Sequence, residues 1–199
     1  MTSKGLFFKY MRENTKQRLW SVALIALLCF FLFPVLTALE ISIMLRPDNL
    51  SKDLSVEAAL AEAKLKLTNE MLNMYSIKNA MLVCILIVAA VVLAASGFSY
   101  LHSKKKTDFF HSLPISREML YTVTCLDGIL YLAVPYLVFL LASGVMLQVK
   151  GAPFSWETLL IGYVQHMCFF ILVYMTVVLA VILTGNLIVG LLGTGVFFI

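Results

Sequence analysis

Four stretches of this chain carry no Asp, Glu, Lys or Arg, and their lengths limit what it can fold into. They cover residues 19–39 (21 residues), 79–103 (25), 128–149 (22) and 158–199 (42). A hydrocarbon core of about 30 Å takes about 20 apolar residues in an α-helix. Each of the first three runs therefore fits one crossing. The last is too long for one, and the polar sequence Thr184-Gly185-Asn186 breaks it. The spans are placed at 20–45, 79–101, 119–148 and 158–183, with a cytoplasmic turn at 184–186. A fifth span starts at 187. Only 13 residues follow that turn, 187–199, covering about 20 Å. The sequence thus predicts a truncated fifth span that continues in a longer parent chain. Charged residues make up 13% of the 199 residues and hydrophobic ones 61%, which leaves too few charges to cover a soluble domain. That excludes an ordinary soluble enzyme, a disordered chain and a nucleic-acid-binding module. The expected class is an all-α integral membrane protein whose constant partner is the lipid bilayer.

Charge sets the expected orientation. Residues 1–19 carry Lys4, Lys9, Arg12, Lys16 and Arg18 against Glu13 alone, and 102–118 carry Lys104, Lys105, Lys106 and Arg117 against Asp108 and Glu118. Residues 46–79 are balanced, with five basic and five acidic side chains. Positive segments stay inside, so the N-terminus and the 102–118 loop are expected in the cytoplasm, with 46–78 and 149–157 outside. The apolar run after the basic leader is too long for a signal peptide and lacks a convincing cleavage site. Within 1–19, Leu6, Phe7, Tyr10 and Met11 share one helical face and Lys9, Arg12 and Lys16 another. This is the pattern of an amphipathic helix lying in the inner interface, with Trp20 in the aromatic belt. In the outer segment Val56, Leu60, Ala63, Leu67, Met71 and Met74 recur at spacings of three and four, opposite a Glu62–Lys66–Glu70 ladder. A helix over 55–78 is expected, capped by Asp53 or Ser55 and running into the second span.

The chemistry-bearing residues inside the spans are few. Cys29, Cys84, Cys125 and Cys168 lie in apolar runs without a CxxC pair and read as small packing residues. Pro34 and Pro135 are expected to kink spans one and three. Gly128, Gly144, Ala90 and Ala94 are expected at close helix contacts. His166 has no second metal ligand at useful spacing. Asp127, about seven residues into the third span, leaves two readings open: a residue near the inner interface, hydrated or paired with a Lys or Arg, or a group on a translocation path.

The most informative stretch is the loop between spans two and three. Asp108 can cap a short helix holding Phe109, Phe110 and Leu113; Pro114 ends it, and Ser116 caps the next helix with Glu118 in its first turn. Exposed phenylalanines on a basic loop need either the membrane interface or a soluble partner. The run Asp108-Phe-Phe-His-Ser-Leu-Pro-Ile-Ser-Arg-Glu118 resembles the cytoplasmic loop of ABC-2 type exporter permeases from Gram-positive bacteria. The order of parts is similar too: amphipathic helix, span, long outer segment, span, loop. The outer segment looks similar to that of clostridial-type permeases with long extracellular regions. The resemblance implies a bacterial plasma-membrane permease subunit whose loop docks on a cytosolic ATP-binding-cassette ATPase. Asp108, Phe109, Phe110, Leu113, Pro114 and Arg117 would make that contact. It also implies a second permease subunit, identical or related. No cofactor is expected in this chain, because no G-x-x-x-x-G-K-[ST] loop is present; ATP and magnesium would be held by the partner. Two alternatives stay open: a secondary transporter, and an intramembrane enzyme whose site lies in the missing C-terminal part. No H-E-x-x-H or G-x-S-x-G motif supports the enzyme.

Overall fold

The computed structural model describes residues 11–16, 18–46, 56–99 and 116–184. Among these residues there are long helices and no strand. We label the long helices α1 (Leu19–Met44), α2 (Val56–Met74), α3 (Ala80–Phe98), α4 (Arg117–Val149) and α5 (Trp156–Thr184). Residues 11–16 are also helical. Helices α1, α3, α4 and α5 contain 26, 19, 33 and 29 residues and are long and apolar enough to cross a membrane. Their burial pattern fits an apolar solvent. Leu27, Val134, Val138 and Leu172 face outward, whereas Ser21, Thr37, Thr124, Asp127, Ser143 and His166 are buried. In lipid, apolar side chains gain nothing by hiding, while polar ones must find partners inside the protein. Most buried threonines do so locally: Thr37 and Thr124 donate to the carbonyls four residues back, at 2.7 and 2.9 Å.

The ends of the helices are written in the local sequence. Ser116 accepts the Met119 N–H at 3.3 Å and Glu118 lies in the first turn of α4, as the capping pattern predicts. Gly151, at φ 67°, ends α4. Its N–H donates to Gln148 O at 2.9 Å and the Ala152 N–H to Leu147 O at 3.1 Å, the paired bonds of a left-handed C-terminal cap. Inside α1, Phe31–Val35 form a turn of π-helix around Pro34. Proline brings no N–H and pushes on the preceding turn, and the wider turn makes room for it.

Helix α2 differs from its sequence reading in two respects. It stops at Met74 rather than continuing into the next span. Asn79 accounts for the break: its Nδ2 donates to Met74 O at 3.0 Å and its Oδ1 accepts the Met81 N–H at 3.0 Å, so one side chain closes α2 and opens α3. The buried stripe is also rotated. It runs through Ala59, Ala63, Leu67, Met71 and Tyr75 at a spacing of four, whereas Val56 is 78% exposed and Leu60 is also exposed. The Glu62–Lys66 pair does form, at 2.7 Å. The cysteines divide in a way composition does not signal: Cys29 and Cys125 are buried, Cys84 and Cys168 exposed, and all four are free thiols.

The chain falls into two compact units. The first comprises Met1–Ile25, Ile85–Ala133 and Cys168–Ile199, and the second Ala26–Cys84 and Val134–Met167. In the first, Ala90, Leu93, Ala94, Phe98, Val123, Phe170, Val173 and Val177 make the apolar core. Gly128 lies against Tyr174, with a Cβ position only 2.6 Å from the ring Cζ. In the second, Phe33 packs edge-on to Tyr136 at 4.5 Å and tilted against Tyr75 at 5.4 Å. The Tyr75 hydroxyl meets Thr37 Oγ1, whose own hydrogen is already given to Phe33 O. Gly144 lets the Trp156 ring approach to 2.7 Å from where a Cβ would sit.

Candidate functional site

The sequence singles out Asp127, and the first unit builds a polar cluster around it. Asp127 lies in α4, eleven residues along a helix that begins at Arg117, and is completely buried. Its Oδ2 accepts a hydrogen bond from Asn14 Nδ2, while among the described residues Oδ1 has no hydrogen-bond partner. Tyr131, one turn further on, donates its hydroxyl to Thr15 Oγ1 at 3.0 Å. Thr15 in turn donates to Met11 O at 2.9 Å. Two adjacent residues of the N-terminal segment are thereby fastened to one face of α4.

Arg18 completes the cluster. It is only 7% exposed, an extreme value for a guanidinium. Nη2 donates to Leu93 O and to Ser96 Oγ, both at 2.9 Å, and Nε donates to Ser96 Oγ at 3.2 Å. Ser21 Oγ lies 3.3 Å from the same serine oxygen. The guanidinium sits over the Tyr131 ring, 5.3 Å from its centroid, and lies within electrostatic reach of Asp127. Gly97 makes the space: a Cβ there would fall 3.1 Å from Nη2 and 3.2 Å from Nη1. Among the described residues, Nη1 itself meets no hydrogen-bond acceptor. A buried arginine and a buried aspartate, joined through Asn14, Thr15, Tyr131 and Ser96, thus tie the segment before α1 to α3 and α4. Such an arrangement is costly to build in lipid and fixes the register of the elements it joins. Its chemistry is that of a tie: it sets α3, α4 and the N-terminal segment in one relative position.

The other sequence-derived site residues are placed as follows. Arg117 opens α4 and is exposed, ten residues or about 15 Å along the helix from Asp127. Asp108, Phe109, Phe110, Leu113 and Pro114 lie outside the described residues, as do the apolar face of residues 1–10 and the start of a fifth span at 187–199. Sequence reasoning counted Arg18 only as one positive charge of the leader and passed over Asn14, Thr15 and Ser96. Their partners are 75 to 116 positions away in the chain, and no local spacing encodes such pairs. The one available signal was that Arg18 directly abuts an uncharged run. Among the described residues, no group of three His, Cys, Asp or Glu side chains gathers to hold a metal ion. No protein-family model, no curated protein and no solved structure matches this chain.

Proposed function

We propose that the chain is the membrane subunit of an ABC-2 type exporter, moving a substrate across the bacterial plasma membrane with energy from a separate cytosolic ATPase. The observation that carries this reading is the Arg18–Asp127 cluster. Helix α4 leaves the 102–118 loop, and eleven residues into it the cluster fastens it to the N-terminal segment and to α3. A push delivered at the loop would reach all three together. That is the mechanical requirement on a subunit driven from outside the membrane: a rigid inner end moved as a block. In this arrangement the N-terminus and the loop face the cytoplasm, and Phe109, Phe110 and Leu113 fill a groove on the ATPase. Asp108 and Pro114 delimit the docking helix, and Arg117 flanks it. Two ATPase copies and a second permease subunit complete the assembly.

The test is a pull-down from gently solubilised membranes, comparing the wild-type protein with a Phe109→Asp, Phe110→Asp variant of equal expression and insertion. An ATPase recovered with wild type and lost with the variant is the expected result. Well-folded wild type that recovers no ATPase overturns the reading. One observation favours a second reading, a proton-coupled secondary transporter: two ionisable groups, Asp127 and His166, are buried in the spans, each with one polar atom that finds no hydrogen-bond partner among the described residues. Uptake or efflux that follows an imposed pH gradient in liposomes holding this chain alone would favour it.

A further inference from the structure

The second unit contains a cavity of about 260 Å³ reaching from the last turn of α2 down between α4 and α5. Nothing in the coupling scheme uses it. Its wall is mostly apolar, with Tyr75, Tyr136, Tyr163 and Phe154 beside leucines, and it includes the polar side chains of Thr158 and Gln165. Among the described residues, no Asp, Glu, Lys or Arg lines it. Burial pushes the Tyr75 phenol above its ordinary value, so that side chain stays neutral at physiological pH. One polar group in the wall is incompletely paired. His166 is 1% exposed; its Nδ1 lies 3.1 Å from the Tyr136 hydroxyl, the backbone of Ser76 and Gly162 lies beside the ring, and among the described residues its Nε2 makes no hydrogen bond. Leaving an imidazole nitrogen unpaired in such a place is expensive. A largely apolar cavity with a few polar side chains in its wall is the usual form of a small-molecule site.

From this cavity we infer that the chain binds a small, uncharged, largely apolar molecule carrying a hydroxyl group, its ring or chain against the tyrosines and its hydroxyl on His166 Nε2. The hydroxyl follows from the histidine. When Tyr136 donates to Nδ1, Nε2 carries the hydrogen and needs an acceptor; when Nδ1 donates to Tyr136, Nε2 is bare and needs a donor. Only a group that both donates and accepts satisfies either tautomer, and a hydroxyl is the smallest that does. Among the described residues the wall holds no charged side chain, so it offers an ionic ligand no counter-charge against the cost of desolvation. The inference is independent of the ATPase: it concerns binding by this chain alone and holds whether or not the coupling scheme does.

Trp156 reports on the site, because it packs edge-on to Phe154 with ring centroids 5.1 Å apart and Phe154 lines the cavity. The experiment uses the full chain in lipid nanodiscs with Trp20→Phe, which leaves Trp156 as the single tryptophan. The probes are 4-bromophenol and 4-bromotoluene, of nearly the same shape, of which only the first has a hydroxyl. Gly162→Leu fills the cavity. A Cβ there would lie 3.6 Å from Tyr75 O, an ordinary contact, so the backbone accepts the change. His166→Leu removes the polar group. We expect saturable quenching by 4-bromophenol, roughly tenfold weaker binding of 4-bromotoluene and of 4-bromophenol to His166→Leu, and no saturable quenching in Gly162→Leu. Equal quenching by both probes in wild type, or quenching unchanged by Gly162→Leu, means partition into lipid and overturns the inference. So does the absence of a saturable component. Should His166→Leu fail to fold, the two probes on wild type and the Gly162→Leu variant still decide the matter.

Discussion

A buried guanidinium has five N–H donors to satisfy and a charge to accommodate, so what surrounds Arg18, just before α1, shows which chemical detail matters. Its planar fork reaches Leu93 O and Ser96 Oγ at once, and the Tyr131 ring lies beneath the charge. A lysine has the charge without the fork. Arg18→Lys should therefore lose about 1–3 kcal/mol of stability despite conserving charge, read as a lower unfolding temperature in detergent by size-exclusion chromatography. Small residues give an equally direct comparison. A Cβ on Gly128 would collide with the Tyr174 ring, whereas one on Gly162 meets nothing closer than 3.6 Å. Gly128→Ala should cost about 1–3 kcal/mol by overpacking, and Gly162→Ala should stay within about 0.5 kcal/mol of wild type in the same assay. The two glycines look alike in the sequence, and their surroundings separate them.

At the scale of elements, α2 shows how far periodicity can be read. Spacings of three and four identify a helix, and a helix forms. The stripe that buries nevertheless follows every fourth residue from Ala59 to Tyr75, with Thr68 beside it, and its last member packs on Phe33. Leu67 is fully buried and Val56 is 78% exposed, although both belong to the apolar set read from the sequence. Leu67→Ala should cost about 2–5 kcal/mol through the cavity it leaves, while Val56→Ser should change stability by less than about 0.5 kcal/mol. Chemical unfolding followed by circular dichroism distinguishes them. The end of α2 carries the same lesson. Asn79 binds backward to Met74 and forward to Met81, and it overrides the helix-forming tendency of the residues around it.

For the whole molecule, the alternation of spans makes a claim about sidedness. With the four native cysteines replaced, Val56→Cys in α2 should react with a membrane-impermeant maleimide in intact cells. Arg117→Cys at the start of α4 should react only after permeabilisation. Both positions are exposed, so access reports sidedness rather than burial. Equal labelling of the two in intact cells would place both on one face and overturn the expected orientation. The division into two units also sorts the functional proposals. The Arg18–Asp127 cluster belongs wholly to the first unit and the aromatic cavity wholly to the second, so each can be disabled without touching residues of the other.

The four uncharged runs by themselves determined that this chain makes helices long enough to cross a membrane, and roughly where, because helix rise and bilayer thickness turn a count of apolar residues into a length. Caps at Ser116 and the Glu62–Lys66 pair were legible for a related reason: their partners lie within one turn. Which buried groups meet was decided only in three dimensions. Asn14 reaches Asp127 across 113 residues, and Tyr136 reaches His166 across 30. In lipid the apolar side chains gain little by choosing one helix face over another, so the hydrophobic pattern that orients helices in water is weak here. Orientation passes instead to a handful of polar side chains and to the glycines that let large rings approach, and their partners depend on the packing of distant segments.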